Sequence, residues 1–233
     1  MNDNLLSAVF SRIEENEPAR LFLQSLMRDA KVYLFGGGVR DYLDGSLEAA
    51  RDLDFTLVSR DGGPVDIEGH VPPDPHIKII RNRYDGLKII FGGSLVMDVW
   101  NLEDTWGFKN GKLPANAENL IHSVYLNLDG LVYSLDDDKY LLDCDKEYER
   151  IKAGGEIDIV NDDTPFEELN LLRALVFEEK YSMALSDRLR GRIKAHLSEG
   201  EGQTAEAFME LQEAHYGSVI FDVDALTRRF REL

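Results

Sequence analysis

Three carboxylates and a run of glycines could do chemistry in this chain. Gly36-Gly37-Gly38-Val39-Arg40-Asp41 opens a short helix-like stretch, and Asp52-Leu53-Asp54 follows eleven residues after Asp41. Glycines let backbone N–H groups approach a phosphate, and paired carboxylates hold the divalent cations that travel with phosphates. Strand alternation puts Asp52, Asp54 and Thr56 on one face, with the two aspartate α-carbons about 7 Å apart. Side chains that lean together can then share cations about 3.5–4 Å apart, the spacing of two-metal phosphoryl-transfer sites. Asp98 lies inside Leu95-Val96-Met97-Asp98-Val99-Trp100, the most apolar strand candidate. A lone carboxylate there carries a desolvation penalty on the order of several kcal/mol. A cation, an open sheet edge or pairing with a base such as Lys88 would each relieve it. These residue types point to chemistry on a nucleoside triphosphate.

The elements that must position them follow from periodicity. Leu5, Leu6, Val9, Phe10 and Ile13, then Phe22, Leu23 and Leu26, recur at helical spacing and predict helices over roughly 3–15 and 17–29. Val32–Phe35 reads as a strand running into the glycines, Val39–Leu43 as a short helix that Gly45 can end, and Asp52–Val58 as a strand. After a Gly/Pro/Asp-rich loop over 60–75, a meander is expected: His76–Tyr84 and Leu87–Phe91 around Asp85-Gly86, then Leu95–Trp100 after Gly92-Gly93. A further hairpin is expected from Val124–Leu128 and Leu131–Leu135 around Asp129-Gly130. Thr164-Pro165-Phe166-Glu167 reads as a capping box, and the chain is helical from there to its end. The fold class is therefore α/β of the α+β kind. A small mixed, mostly antiparallel sheet with flanking helices forms a head over 1–160, and a helical domain follows over 161–233.

Composition bounds the rest. A hydrophobic fraction of 43% and a charged fraction of 30% over 233 residues suit a globular chain with a real core. Neither a long apolar run nor a basic-then-apolar N-terminus is found, so no membrane span or secretory leader is expected. The single cysteine, Cys144, rules out an internal disulfide and fits a reducing cytoplasm. It reads as a small core residue. The formal net charge of −18 opposes nonspecific nucleic-acid binding. Arg188, Arg190, Arg192 and Lys194 could form a local basic strip, but a solvated helix face is the expected reading. Asp136-Asp137-Asp138 has Leu141 where a calcium loop needs Gly, which leaves a solvated turn. Scattered histidines exclude zinc spacing. A dinucleotide fold would want G-x-G-x-x-G and an acid at the far end of the next strand, whereas here position 41 is Asp and the acids lead their strand. A plain tight turn also remains open for the glycines.

Leu34-Phe35-Gly36-Gly37-Gly38-Val39-Arg40-Asp41-Tyr42-Leu43-Asp44-Gly45, followed by Asp52-Leu53-Asp54, resembles the head domain of the class II tRNA nucleotidyltransferase/poly(A) polymerase family, within the DNA-polymerase-beta-like nucleotidyltransferases. Met97-Asp98-Val99 stands where that family's third carboxylate falls. The 124–135 hairpin looks like its later strand pair, and Leu171–Phe177 looks like its first neck helix. The resemblance covers roughly residues 30–195. It implies that Asp52 and Asp54 bind two magnesium ions and that Asp98 completes the site and helps activate an attacking hydroxyl. It also implies that Gly36 and Gly37 donate to the triphosphate, that Arg40 falls near the nucleotide, and that Asp41 orients it or the turn.

Three departures qualify that transfer. Asn119-Leu120-Ile121-His122-Ser123-Val124 lacks the arginines of the family's basic motif. Phe166-Glu167-Glu168-Leu169-Asn170 lacks the arginine of its base-selecting motif, leaving Arg173 as a candidate nucleotide contact. The family's tRNA-holding body and tail are not expected in this chain. The expectation is a magnesium-dependent nucleotidyltransferase that passes a nucleoside monophosphate to an RNA end, a small molecule or a protein, rather than a CCA-adding enzyme. A non-catalytic nucleotide-binding or interaction module on the same fold is the alternative. A dinucleotide-dependent oxidoreductase is a third class.

Overall fold

The computed structural model describes residues 4–82, 84–198 and 205–233. Residues 1–3, where the first helix was expected to begin, lie outside that description, as do Arg83 of the expected His76–Tyr84 strand and 199–204 of the helical tail. The side chain of Ala49 is likewise outside it. The chain divides into two compact units, one built from residues up to Val124 and from Leu128–Tyr148, the other from Tyr125–Asn127 and Glu149–Leu233.

The first unit opens with α1 (Leu5–Ile13) and α2 (Glu17–Asp29). Asn4 and Asn16 cap them, each accepting a backbone N–H three residues on. The chain then runs through β1 (Ala30–Phe35), α3 (Gly37–Leu43), β2 (Leu53–Ser59), β3 (Ile77–Arg81), β4 (Leu87–Phe91), β5 (Leu95–Asn101) and the single turn α4 (Trp106–Lys109). β6 (Val132–Ser134) and β7 (Lys139–Tyr140) follow, then α5 (Cys144–Gly154), of which the residues up to Tyr148 belong to the first unit and the rest to the second. The strands form one sheet in the order β3-β4-β5-β2-β1-β6-β7. Only β2 and β5 run parallel, so the sheet is mixed and mostly antiparallel, unlike the parallel sheet a dinucleotide fold requires.

Alternation along the strands decides which face holds which chemistry. Leu53, Phe55 and Leu57 of β2, Leu87, Ile89 and Phe91 of β4, and Leu95, Met97 and Val99 of β5 are buried on one face. The α2 side chain Phe22 meets Phe91 there, ring centroids 5.6 Å apart. The other face carries Asp54, Thr56, Asp98, Trp100 and Lys88. Tyr33, Leu102, Phe108, Leu120, Val132 and Leu141 form a second apolar cluster on the first unit. Asp52, Asp54 and Asp98 are partly buried.

The expected 124–135 hairpin does not form. The backbone of 125–127 is taken by the 158–160 segment, with Asn127 N donating to Asp158 O at 3.0 Å and Val160 N to Tyr125 O at 2.7 Å. β6 pairs instead with β1 and β7. Asp136-Asp137-Asp138 is the β6–β7 turn, but its carboxylates are engaged rather than merely solvated. Asp136 accepts from Val32 N at 2.9 Å and pairs with Arg60, Asp137 contacts Ser134 Oγ at 3.2 Å, and Asp138 holds the Tyr133 hydroxyl. Cys144 is buried, with Sγ 3.3 Å from Val132 N, and burial pushes its thiol pKa up, as befits a core residue.

The second unit holds α6 (Glu167–Tyr181), α7 (Asp187–Ser198), α8 (Ala205–Tyr216) and α9 (Val223–Glu232). The capping box does not form, because Phe166 sits in the left-handed region at φ 63° and leaves Glu167 as the first helical residue. Asn170 explains the displacement: its Nδ2 donates to Thr164 Oγ1 at 3.1 Å and to Pro165 O at 3.0 Å, occupying the hydroxyl that would have capped the helix. Arg188, Arg190 and Arg192 pair with Asp162, Asp187 and Glu167, which removes the basic strip. No helix among the described residues is long and apolar enough to cross a membrane.

Gly36 adopts φ 61°, ψ −117°, a conformation that a Cβ makes strained. Gly36→Ala is expected to lower stability by about 1–3 kcal/mol. Gly191→Ala, inside α7 with open space around it, is expected to raise stability by about 0.5–1 kcal/mol. Urea unfolding of the two variants checks both signs.

Candidate active site

Strand register assembles the carboxylates. Parallel pairing of β2 with β5 sets Asp54 opposite Asp98, and antiparallel pairing of β4 with β5 sets Lys88 opposite Asp98. Asp52 immediately precedes β2, and residues 44 positions apart in sequence (Asp54 and Asp98) become lateral neighbours on one sheet face. The Lys88 Nζ lies 2.9 Å from Asp98 Oδ2 and 3.9 Å from Asp52 Oδ2. Arg51 reaches Asp52 from the solvent side, its Nη2 3.0 Å from Oδ2. Asp52 and Asp98 side chains are only 15% and 18% exposed, against 39% for Lys88 and 58% for Arg51. Burial pushes the Asp98 carboxyl above the ordinary carboxylate range. The Lys88 hydrogen bond and charge pull it down, the neighbouring Asp52 charge pushes it up again, and burial wins.

Around the carboxylates, Phe35 is the β1 residue opposite Asp54, and Trp100 packs edge-on against it with centroids 6.2 Å apart. The glycine turn is held from three sides. Gly36 N donates to Leu131 O at 2.8 Å, so that amide is already engaged. Gly38 lets α3 sit on the sheet: a Cβ there would come within 3.3 Å of Leu34 and 3.4 Å of Leu53. The Arg40 guanidinium pairs with Asp129, both side chains being about nine-tenths buried. Arg40 thus ties the turn to the 127–131 segment. Asp41 ends α3 through its carbonyl, which accepts from Ser46 N at 2.7 Å and Ser46 Oγ at 3.2 Å. Gly37 occupies the first helical position. Arg173 belongs to the second unit, on α6, where its guanidinium lies 5.8 Å from the Phe177 ring centroid.

Two positioning residues escaped the sequence reading. Arg12 projects from α1 and donates through Nη1 and Nη2 to the carbonyls of Leu47 and Ala50, anchoring the segment that delivers Asp52. An arginine beside a buried helical stripe was the available signal. Asp129 had been assigned to a hairpin turn by its Asp-Gly sequence, and only the three-dimensional pairing reveals its partner.

No group of three or more His, Cys, Asp or Glu side chains forms a ready metal cage among the described residues. The donor chemistry nonetheless fits a hard divalent cation. Asp52, Asp54 and Asp98 offer carboxylate oxygens from the neighbouring strands β2 and β5, and the Lys88 ammonium already stands as a cation within 4 Å of two of them.

No protein-family model matches the sequence, and no curated protein matches it. Solved structures do match in fold. A Thermotoga maritima CCA-adding enzyme complexed with tRNA is 16% identical with a TM-score of 0.60, over 95% of this chain and 53% of that one. A tRNA-processing enzyme with CTP is 18% identical with a TM-score of 0.59, over 87% and 53%. The Bacillus stearothermophilus CCA-adding enzyme in complex with CTP is 17% identical with a TM-score of 0.58, over 87% and 48%. The chain spans about half the length of these relatives in structure. Its fold is that of the CCA-adding nucleotidyltransferases.

Two outcomes follow from the geometry. Removing one member of the buried Arg40–Asp129 pair, in Arg40→Met or Asp129→Asn, is expected to cost about 3–5 kcal/mol, with strong coupling in a double-mutant cycle. Asp98, whose folded pKa lies above its unfolded value near 3.9, holds its proton more tightly when folded. Its contribution to stability is full below that unfolded value and is lost as pH rises through the folded one. Wild type should therefore lose stability relative to Asp98→Asn as pH rises across this window, measured by urea unfolding from pH 3 to 7.

Proposed function

We propose that this chain is a magnesium-dependent nucleotidyltransferase, transferring a nucleoside monophosphate from a nucleoside triphosphate to an acceptor other than the tRNA CCA end. The observation that carries the reading is the register of Asp54 against Asp98, with Asp52 adjoining, behind a glycine turn in a fold shared with CCA-adding enzymes. Relatives whose structures contain ATP or CTP support a nucleoside triphosphate as donor substrate. Asp52, Asp54 and Asp98 would hold two magnesium ions. When bound, these would neutralise charge on the α-phosphate and the departing pyrophosphate.

The protein's own groups do the rest. Gly37, at the start of α3, would present its amide to the triphosphate, with Gly36 shaping the turn. Arg40 and Asp41 would hold that turn in place, and Arg173 on α6 is a separate candidate for a nucleotide contact. Asp98 would accept the proton of the attacking hydroxyl. As the new oxygen–phosphorus bond forms at the α-phosphorus, the bond to pyrophosphate breaks. Asn170 holds the loop before α6 and stands where the resembled family has an arginine, so base choice would rest on other contacts. The acceptor is an RNA end, a small molecule or a protein side chain. A water-soluble protein of the reducing cytoplasm fits the composition and the lone buried thiol.

A second reading, a nucleotide-binding module without turnover, is favoured by one observation: Lys88 contacts two of the three carboxylates. Incubation with α-labelled nucleoside triphosphates, magnesium and candidate acceptors separates the two. Transfer of label with pyrophosphate release, reduced about 10²–10⁴-fold by Asp98→Asn, supports the enzyme. Magnesium-dependent binding without release, equal in wild type and Asp54→Asn, supports the module.

A further inference from the structure

We infer that Lys88 is a resident counter-cation that competes with a divalent ion for Asp52 and Asp98, so that metal loading requires its ammonium to leave them. The inference rests on the metal-binding role proposed for those carboxylates. Lys88 is fixed opposite Asp98 by the β4–β5 ladder, so its stem always starts beside the site. Its Nζ bridges Asp98 Oδ2 at 2.9 Å and Asp52 Oδ2 at 3.9 Å. An oxygen that already accepts a hydrogen bond from an ammonium, and sits in its positive field, is a poorer ligand for a second cation, so the two compete, most directly at Asp98.

The bridge also has a purpose before any metal arrives. Like charges opposed across strands are destabilising, and Asp54 faces Asp98 with Asp52 adjacent. One ammonium between them offsets that repulsion in the metal-free chain. Release is mechanically simple: Lys88 is 39% exposed, and its four-carbon stem can turn to water without moving the strand. Arg51 also faces the cluster: it holds Asp52 Oδ2 from the solvent side, through Nη2 at 3.0 Å and Nε at 3.1 Å, and its charge acts on Asp98. Asp98 is where the Lys88 ammonium makes its close contact, at 2.9 Å. Population arithmetic gives the consequence, since apparent metal affinity falls by the fraction of molecules whose site is open.

Binding of Mn2+ alone, without nucleotide, followed by the loss of the free-ion electron paramagnetic resonance signal, tests this. Lys88→Gln should bind Mn2+ roughly tenfold or more tightly than wild type. Lys88→Arg should bind no more tightly than wild type. Equal or weaker binding by Lys88→Gln overturns the inference while leaving the metal site standing. Absence of Mn2+ binding in wild type and variants alike overturns both this inference and the magnesium reading. A measurement on the wild type needs no substitution to fold: Mg2+ should raise reductive methylation of Lys88 relative to exposed Lys78. An unchanged ratio also overturns the inference.

Discussion

Three carboxylates gathered on one face of a sheet repel one another, and much of the first unit is arranged to keep them there. The gathering comes from the single parallel pairing, β2 with β5, which sets Asp54 against Asp98. Antiparallel neighbours on both sides lock that register through buried Leu53, Phe55, Met97 and Val99, because a one-residue slip would turn the aspartates into the apolar face and the leucines out of it. The hydrophobic effect thus supplies the force that holds charge together. Lys88, delivered by the next strand, supplies the local neutralisation.

The glycine turn depends on a second set of constraints. Its strained residue, Gly36, donates to Leu131, and its helix is tied through Arg40 to Asp129. Tyr148 of α5 holds the far end of α3, its hydroxyl 2.8 Å from Asp44 Oδ1. Arg12 fixes the carbonyls of the 47–50 segment that leads to Asp52. Residues with the motif's most functional look therefore divide the labour: the aspartates face the site, whereas the arginine of Val-Arg-Asp braces it. That brace explains how a short helix of seven residues, with glycine at its N-cap and first two positions, keeps a defined position.

Much of this was legible in the residues. Periodicity found α1, α2 and the strands of the meander within a few positions; α1, α2, β4 and β5 each bury an apolar face, whereas β3 is an exposed strand found from its place before the Asp85-Gly86 turn. The carboxylate set was visible because an aspartate within Leu95–Trp100 is costly without a partner. Lys88 is one such partner, and its ammonium fills that place, 2.9 Å from Asp98 Oδ2. The errors lie where side chains capture the backbone. Asp129-Gly130 looks like a hairpin turn, yet its carboxylate is spent on Arg40 and the preceding backbone pairs with 158–160. Thr164 looks like a cap, yet Asn170 takes its hydroxyl. Such long-range captures leave no periodic trace in a sequence.

A crystal structure with Mn2+ and a non-hydrolysable nucleoside triphosphate tests the site most directly. The expected result is anomalous density for the metal on Asp52, Asp54 and Asp98, the triphosphate beside the glycine turn, and the Lys88 ammonium turned away from both carboxylates. Nucleotide bound elsewhere, with Lys88 still bridging Asp52 and Asp98, would contradict it.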